Sequence, residues 1–263
     1  MRFWEKMSVR SFIAIRALLA LVVMSLLGCG KGQTRDTEVM VAVAASLRNV
    51  TPELVKVYQE KHPTTKIAAT YGASGDLKKQ VEGGAPIDGV MFASAKPVDE
   101  LIKAGRAEAS SRRVLATNQL VLIGPLGSKP VTFATIDAVP EKEKIAIGDP
   151  GAVPAGQYAR DYLEKLGKWS KIQGRLVLGG DVAAVLAYAR RGEVAAAVVY
   201  KTEIRGINDV MILDYAGAEA PRVELVAAAV TGAKAGGEAG AFVGFVASPE
   251  GQKILKDFGF GPP

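Results

Sequence analysis

Histidine and cysteine each occur once in these 263 residues, at His62 and Cys29, and that scarcity removes most metal and nucleophile chemistry. Zinc or iron sites of the usual N/S type need several such ligands, and the acids show no EF-hand spacing. A Ser-His-Asp arrangement would have to use His62, in Glu60-Lys61-His62-Pro63 at the end of an exposed-looking helix. A lone cysteine forms no internal disulfide, so packing must hold the fold in an oxidising compartment. The uncharged run Ala17 to Leu27 is too short to span a bilayer. The chain lacks a P-loop, and Gly72-Ala73-Ser74-Gly75-Asp76 fails the G-x-S-x-G pattern at its last position. There is no internal repeat and no low-complexity tract.

The first sixteen residues carry Arg2, Lys6, Arg10 and Arg16 against Glu5, and the apolar run that follows ends in Leu26-Leu27-Gly28-Cys29. That order of segments, with a small residue just before a cysteine, resembles the lipobox of a bacterial lipoprotein signal. A lipidated Cys29 would anchor an exported domain at the periplasm or the outer face of the cell membrane. The plainer alternative is a secretory signal with an incidental cysteine. Cleavage after residue 28 would leave 235 of the 263 residues, enough for one large or two ordinary domains. It would also remove four of 33 basic and one of 27 acidic residues, taking the net charge from +6 to +3. The remaining charges are interspersed, which leaves no nucleic-acid footprint.

Residues 29–38 are polar and suit a tether. From Val39 onward, short β-rich runs alternate with helical patterns. The runs are Val39–Ala44 then Leu47–Lys61, Lys66–Thr70 then Asp76–Glu82, and Val90–Phe92 then Pro97–Ala104. This βαβ grammar implies a parallel sheet covered on both faces. A second set has strands at Leu120–Ile123, Ile145–Ile147, Leu176–Leu178 and Ala195–Val199, with helices at Ala155–Leu166 and Val182–Arg191. The late elements Val223–Val230, Gly237–Val246 and Pro249–Phe258 have no partners in that set, so the chain is expected to cross back. The expected division is a first lobe of residues 39–118 plus 222–263 and a second of 119–221.

Four strand-to-helix junctions share small or hydroxyl residues at the helix mouth, where unpaired N–H groups favour an anion. Lys144 to Arg160 runs from a strand through Gly148-Asp149-Pro150-Gly151 to Pro154-Ala155-Gly156, with Tyr158, Tyr162, Leu163 and Leu166 at helical spacing. A plain αβ turn would explain the turn residues but not the small ones at the mouth. At Ala44-Ala45-Ser46-Leu47 the serine either caps a helix or turns to a ligand. Ser74 stands at a helix start between small residues, and Gly179-Gly180-Asp181-Val182 offers Asp181 as a cap with the Val182 N–H beside it. Tyr200 ends the strand Ala195 to Tyr200 at the carboxyl edge, where such sheets present residues to a cleft; a core tyrosine with a wet tip is the competing account.

Taken in order, Ala44-Ala45-Ser46-Leu47, Gly72-Ala73-Ser74-Gly75, Gly83-Gly84-Ala85-Pro86, Ala146 to Ala159, Gly180-Asp181-Val182 and Val198-Val199-Tyr200 resemble the periplasmic molybdate-binding proteins of bacterial ABC transporters. The resemblance runs from about Val39 to Phe260. It implies a two-lobed periplasmic-binding-protein fold of the second type, α/β, each lobe a mostly parallel sheet flanked by helices, with the ligand in the cleft between lobes. Carried across, Ser46 and Ser74 would give hydroxyl and backbone N–H, Ala155 and Val182 backbone N–H, and Tyr200 its phenol, around molybdate or tungstate. Molybdenum would enter only as the bound oxyanion, with no cofactor and no catalysed reaction. The expected partners are a membrane permease and, through Cys29, the membrane; a monomer is expected.

A donor-only site accepts a fully deprotonated dianion and offers nothing to the hydroxyl of a protonated phosphate. One local departure is Ile87 to Ala95, about two residues longer than the family pattern, which leaves open whether Asp88 belongs to cleft or hinge. The alternatives are another oxyanion or small acid such as sulfate or phosphate, an exported serine hydrolase using Ser46 or Ser74, and a surface adhesin or structural lipoprotein.

Overall fold

The structure, a computed structural model, describes residues 36–263. Cys29, the expected signal and most of the expected tether lie outside the described residues. The chain forms β1 (Thr37–Ala44), α1 (Thr51–Lys61), β2 (Thr65–Gly72), α2 (Ser74–Glu82), β3 (Gly89–Phe92), α3 (Ala95–Lys103) and β4 (Arg113–Asn118). It continues through β5 (Leu120–Pro125), β6 (Ile145–Gly148), α4 (Pro154–Lys165), β7 (Leu176–Gly179), α5 (Val182–Arg190) and β8 (Ala196–Tyr200). The last elements are β9 (Val210–Tyr215), β10 (Val223–Ala229), α6 (Gly236–Val246) and α7 (Pro249–Asp257), and a single helical turn, Trp169–Ile172, lies between α4 and β7. No helix among the described residues is long and apolar enough to cross a membrane.

The strands make two five-stranded sheets, ordered β2-β1-β3-β10-β4 and β7-β6-β8-β5-β9. In the first, β10 alone runs against the rest, pairing antiparallel with β3 and β4. In the second, β5 alone does so, against β8 and β9. These reversed strands each follow a crossing between sheets: the chain leaves the first through Asn118-Gln119-Leu120 and returns through residues 216–222. Every residue of β3, β6 and β8 is buried, as expected for strands covered on both faces.

Amphipathic helices cover the sheets. On α1, Leu54 and Tyr58 are buried, and the Tyr58 ring meets Phe242 of α6 edge-on at 5.2 Å. Burying each such side chain contributes about 1.5–3 kcal/mol. The periodicity that suggests one helix from Leu47 to Lys61 is interrupted. Ala45–Leu47 forms a 3-10 turn, and the α-helix starts at Thr51 with Pro52 in its first turn. Proline there has no N–H to continue the preceding turn, whereas the Thr51 hydroxyl donates to Leu47 O at 2.8 Å and joins the two pieces. Leu47, Val50 and Leu54 still share one buried face, which is why the period looked continuous.

Strand β4 was not legible because its ends are polar and only Leu115 and Ala116 are fully covered, as suits the edge strand it is. Strand β1 begins two residues before Val39, at Thr37, paired with Thr65. Asp88 belongs to neither cleft nor hinge. Its carboxylate accepts from Met40 N at 2.8 Å and Ala235 N at 3.0 Å, tying β1 to the chain entering α6.

Candidate functional site

At the carboxyl edges of both sheets, six strands (β1, β2, β3, β6, β7 and β8) lead into a single narrow void. Ser46, Ser74, Ala155, Val182 and Tyr200 all line it. Ser46 and Ser74 come from junctions of the first sheet; Ala155, Val182 and Tyr200 come from the second. No lysine, arginine or histidine is among the lining residues.

Each donor is placed by a local rule. Ser74 opens α2 and Val182 opens α5, so their N–H groups are among those a helix leaves without an internal acceptor. In α4 the first residue is Pro154, which has no N–H to offer, and Ala155 follows as the next donor. Gly156 has another reason to be small. A Cβ there would lie 1.9 Å from Gly148 O, so its absence lets α4 seat directly on the end of β6, and packing rather than an open anion path explains this glycine.

The side chains differ in what they already bond. The Ser74 hydroxyl accepts from Ala93 N at 3.1 Å and keeps its proton for another acceptor. Asp181 is the cap expected of it, accepting from Ala184 N at 2.8 Å. Ser46, however, caps nothing: its Oγ and the Tyr200 hydroxyl are buried without any hydrogen-bond partner among the described residues. Leaving a buried hydroxyl unpaired costs about 1–3 kcal/mol, so two at one void point to a guest that accepts from both.

Electrostatics favour the same direction of bonding. Burial, with smaller contributions from Tyr158 and Glu203, pushes the Tyr200 phenol well above its ordinary value, which keeps it protonated and a donor. Glu203, in the 3-10 turn just after Tyr200, is raised to about 8 by burial first and then by Asp181, against an opposing pull from Arg48. At neutral pH it is therefore mostly uncharged, which keeps one negative charge away from the site. Tyr158 on α4 is raised to about 12, again mainly by burial.

Glu203 was not singled out in the sequence, and Tyr158 was read only as an apolar position of its helix. An acid three residues beyond a strand-end tyrosine was the available signal, and nothing local says that it is buried. His62 caps the end of α1 and stacks on Tyr58 with ring centroids 4.2 Å apart, so it is no base for either serine. Among the described residues no group of three His, Cys, Asp or Glu could hold a metal ion.

Known proteins share this architecture. The Bacillus subtilis (strain 168) protein YvgL, provisionally named an ABC transporter substrate-binding lipoprotein, is 34% identical over 255 residues, or 94% of this chain and 96% of its own. The molybdate-binding protein ModA of Haemophilus influenzae is 30% identical over 238 residues, covering 89% of this chain and 93% of that protein. The solved periplasmic molybdate-binding protein of Azotobacter vinelandii matches with a TM-score of 0.76 over 86% of this chain and 99% of that one, at 21% identity, a likeness of fold. The resemblance read from the sequence and the two-lobed α/β fold it implied both stand. A family profile described as bacterial extracellular solute-binding protein matches residues 39–261, and the chain belongs to that family.

Proposed function

We propose that this protein captures molybdate, and tungstate in the same way, between its two lobes and delivers it to the membrane permease of an ABC transporter. One observation carries the reading: Ser46 Oγ and Tyr200 OH, from opposite sheets, are buried, unpaired and beside one void. A tetrahedral dianion supplies acceptors in both directions at once. Three helix mouths add N–H donors and the positive end of their dipoles, so no cationic side chain is required to hold the charge. All five donors belong to one chain, so a monomer suffices. No reaction is proposed; binding is coupled to closure of the lobes about the two crossings. Anchoring through lipid on Cys29 is part of the proposal, supported by the lipobox-like Leu26-Leu27-Gly28-Cys29 and by the lipoprotein name of the Bacillus relative.

A second reading, a protonated phosphate, draws on Asp181, a residue lining the same void, with one carboxylate oxygen held by Ala184. Its other oxygen could accept from a phosphate hydroxyl. Calorimetry with molybdate, tungstate, sulfate and phosphate separates the readings. A specific anion at a hundredfold excess over its Kd adds about 2.7 kcal/mol of apparent stability, so thermal melts give the same ranking. Melts unmoved by all four anions would end the oxyanion reading, and phosphate ahead of molybdate would favour the second.

A further inference from the structure

Beside the void, the two halves of the molecule meet through a main-chain contact that no anion donor shares. Gly75, the second residue of α2, donates its N–H to Ala152 O at 3.0 Å. Gly75 belongs to the half built on the first sheet, and Ala152 to the Gly/Pro turn ahead of α4 in the other half. A Cβ built on Gly75 would lie 2.8 Å from Ala152 O, 3.0 Å from its Cα and 3.3 Å from its carbonyl carbon. All three are backbone atoms, which cannot rotate aside as a long side chain could. Relief requires the turn carrying Ala152, or the whole opposite half, to move back. Local preference runs the other way, since alanine is a better helix former than glycine, and the backbone of Gly75 is not in the left-handed region that would demand glycine. The requirement for glycine therefore comes from the opposite lobe.

We propose that Gly75 sets how far the cleft closes: its missing side chain lets α2 reach the turn before α4, and its N–H latches the closed form. It is a positioning residue for ligand retention and touches no anion, because its N–H is spent on Ala152. The inference rests on the solute-binding reading above. A latch made only on closure leaves encounter with an open cleft unchanged and slows release.

Gly75→Ala tests this in calorimetry with molybdate, stopped-flow release and small-angle scattering, beside wild type. The variant's ligand-free melt should be unchanged or slightly higher. Its molybdate affinity should fall about tenfold or more, through faster release, and its molybdate-loaded form should have a larger radius of gyration than the loaded wild type. A lower ligand-free melt would make Gly75 an ordinary packing glycine and overturn the proposal. So would affinity within about twofold of wild type, or weakened binding with an identical loaded scattering curve. If wild type answers to no anion, the oxyanion reading fails and takes the latch with it, whereas wild type that binds beside an equally tight variant overturns the latch alone.

Discussion

The two sides of the cleft solve the same problem with different materials. On the first sheet's side the void is lined by two hydroxyl residues, Ser46 and Ser74, whereas Ala155 and Val182 opposite have no side-chain donor and leave Tyr200 as that side's hydroxyl. Hydroxyls can be removed by substitution; most amides cannot. A second contrast runs within the hydroxyls, since Ser74 already accepts from Ala93 N while Ser46 and Tyr200 have no partner. A bound anion would therefore rescue two orphans and extend one existing chain of bonds.

Removing both orphans is expected to have the largest effect. The double variant Ser46→Ala, Tyr200→Phe should bind molybdate at least a hundredfold more weakly, since each hydrogen bond to a charged guest contributes about 1.5–3 kcal/mol. Its ligand-free melt should hold or rise, because two unpaired buried hydroxyls have gone. A fall in that melt would mean the hydroxyls are satisfied without a ligand, which removes the central observation.

Ser74→Ala should separate from that pair. It strands the Ala93 N–H in a buried setting, so about 1–3 kcal/mol of ligand-free stability should be lost in urea titration, alongside an affinity loss of about tenfold or more. Equal ligand-free stabilities for Ser74→Ala and Ser46→Ala would erase the distinction between them.

The amide side can be reached once. Val182 is the first residue of α5 and follows Asp181 in an extended conformation, both of which proline accepts. Val182→Pro should delete one donor while α5 persists by circular dichroism, with affinity lowered about tenfold. Unchanged affinity would show that the opposing face contributes through Tyr200 alone.

Farthest from the anion's own contacts is Glu203, where no loss of affinity is expected. Its folded value, about 8, lies above the ordinary carboxylate value of 4.5, so the folded protein holds a proton that the unfolded chain has released between those limits. Stability should therefore fall as pH rises from about 5 to 8. Glu203→Gln should flatten that slope and raise stability at pH 8 in thermal melts. A slope identical to wild type would remove this carboxyl from the account of the site.

Much of this was legible because helix mouths announce themselves locally. Pro154-Ala155, Asp181-Val182 and Ser74 before a helical period fix where unpaired amides lie without knowledge of the tertiary fold. Tyr200 and the cleft needed the sheet's direction, which the alternating pattern supplied. The resemblance added what residue types alone could not, that the junctions converge. The break after Leu47 was hidden because a 3-10 turn and a helix can share one apolar face. Edge strand β4 was hidden because its polar ends mask its two buried residues. Glu203 was hidden because burial comes from elements distant in sequence. The Gly75 contact was invisible for the same reason: the residue it must avoid lies 77 positions away.

The route of the chain between the sheets has a mechanical consequence. Among the described residues, only Asn118-Gln119-Leu120 and residues 216–222 pass covalently from one half to the other. Two side-by-side pins define an axle, which permits swinging and resists twist or sideways slip. Cutting the 216–222 span would leave a single swivel at Gln119, free to turn in directions that never bring the two faces together.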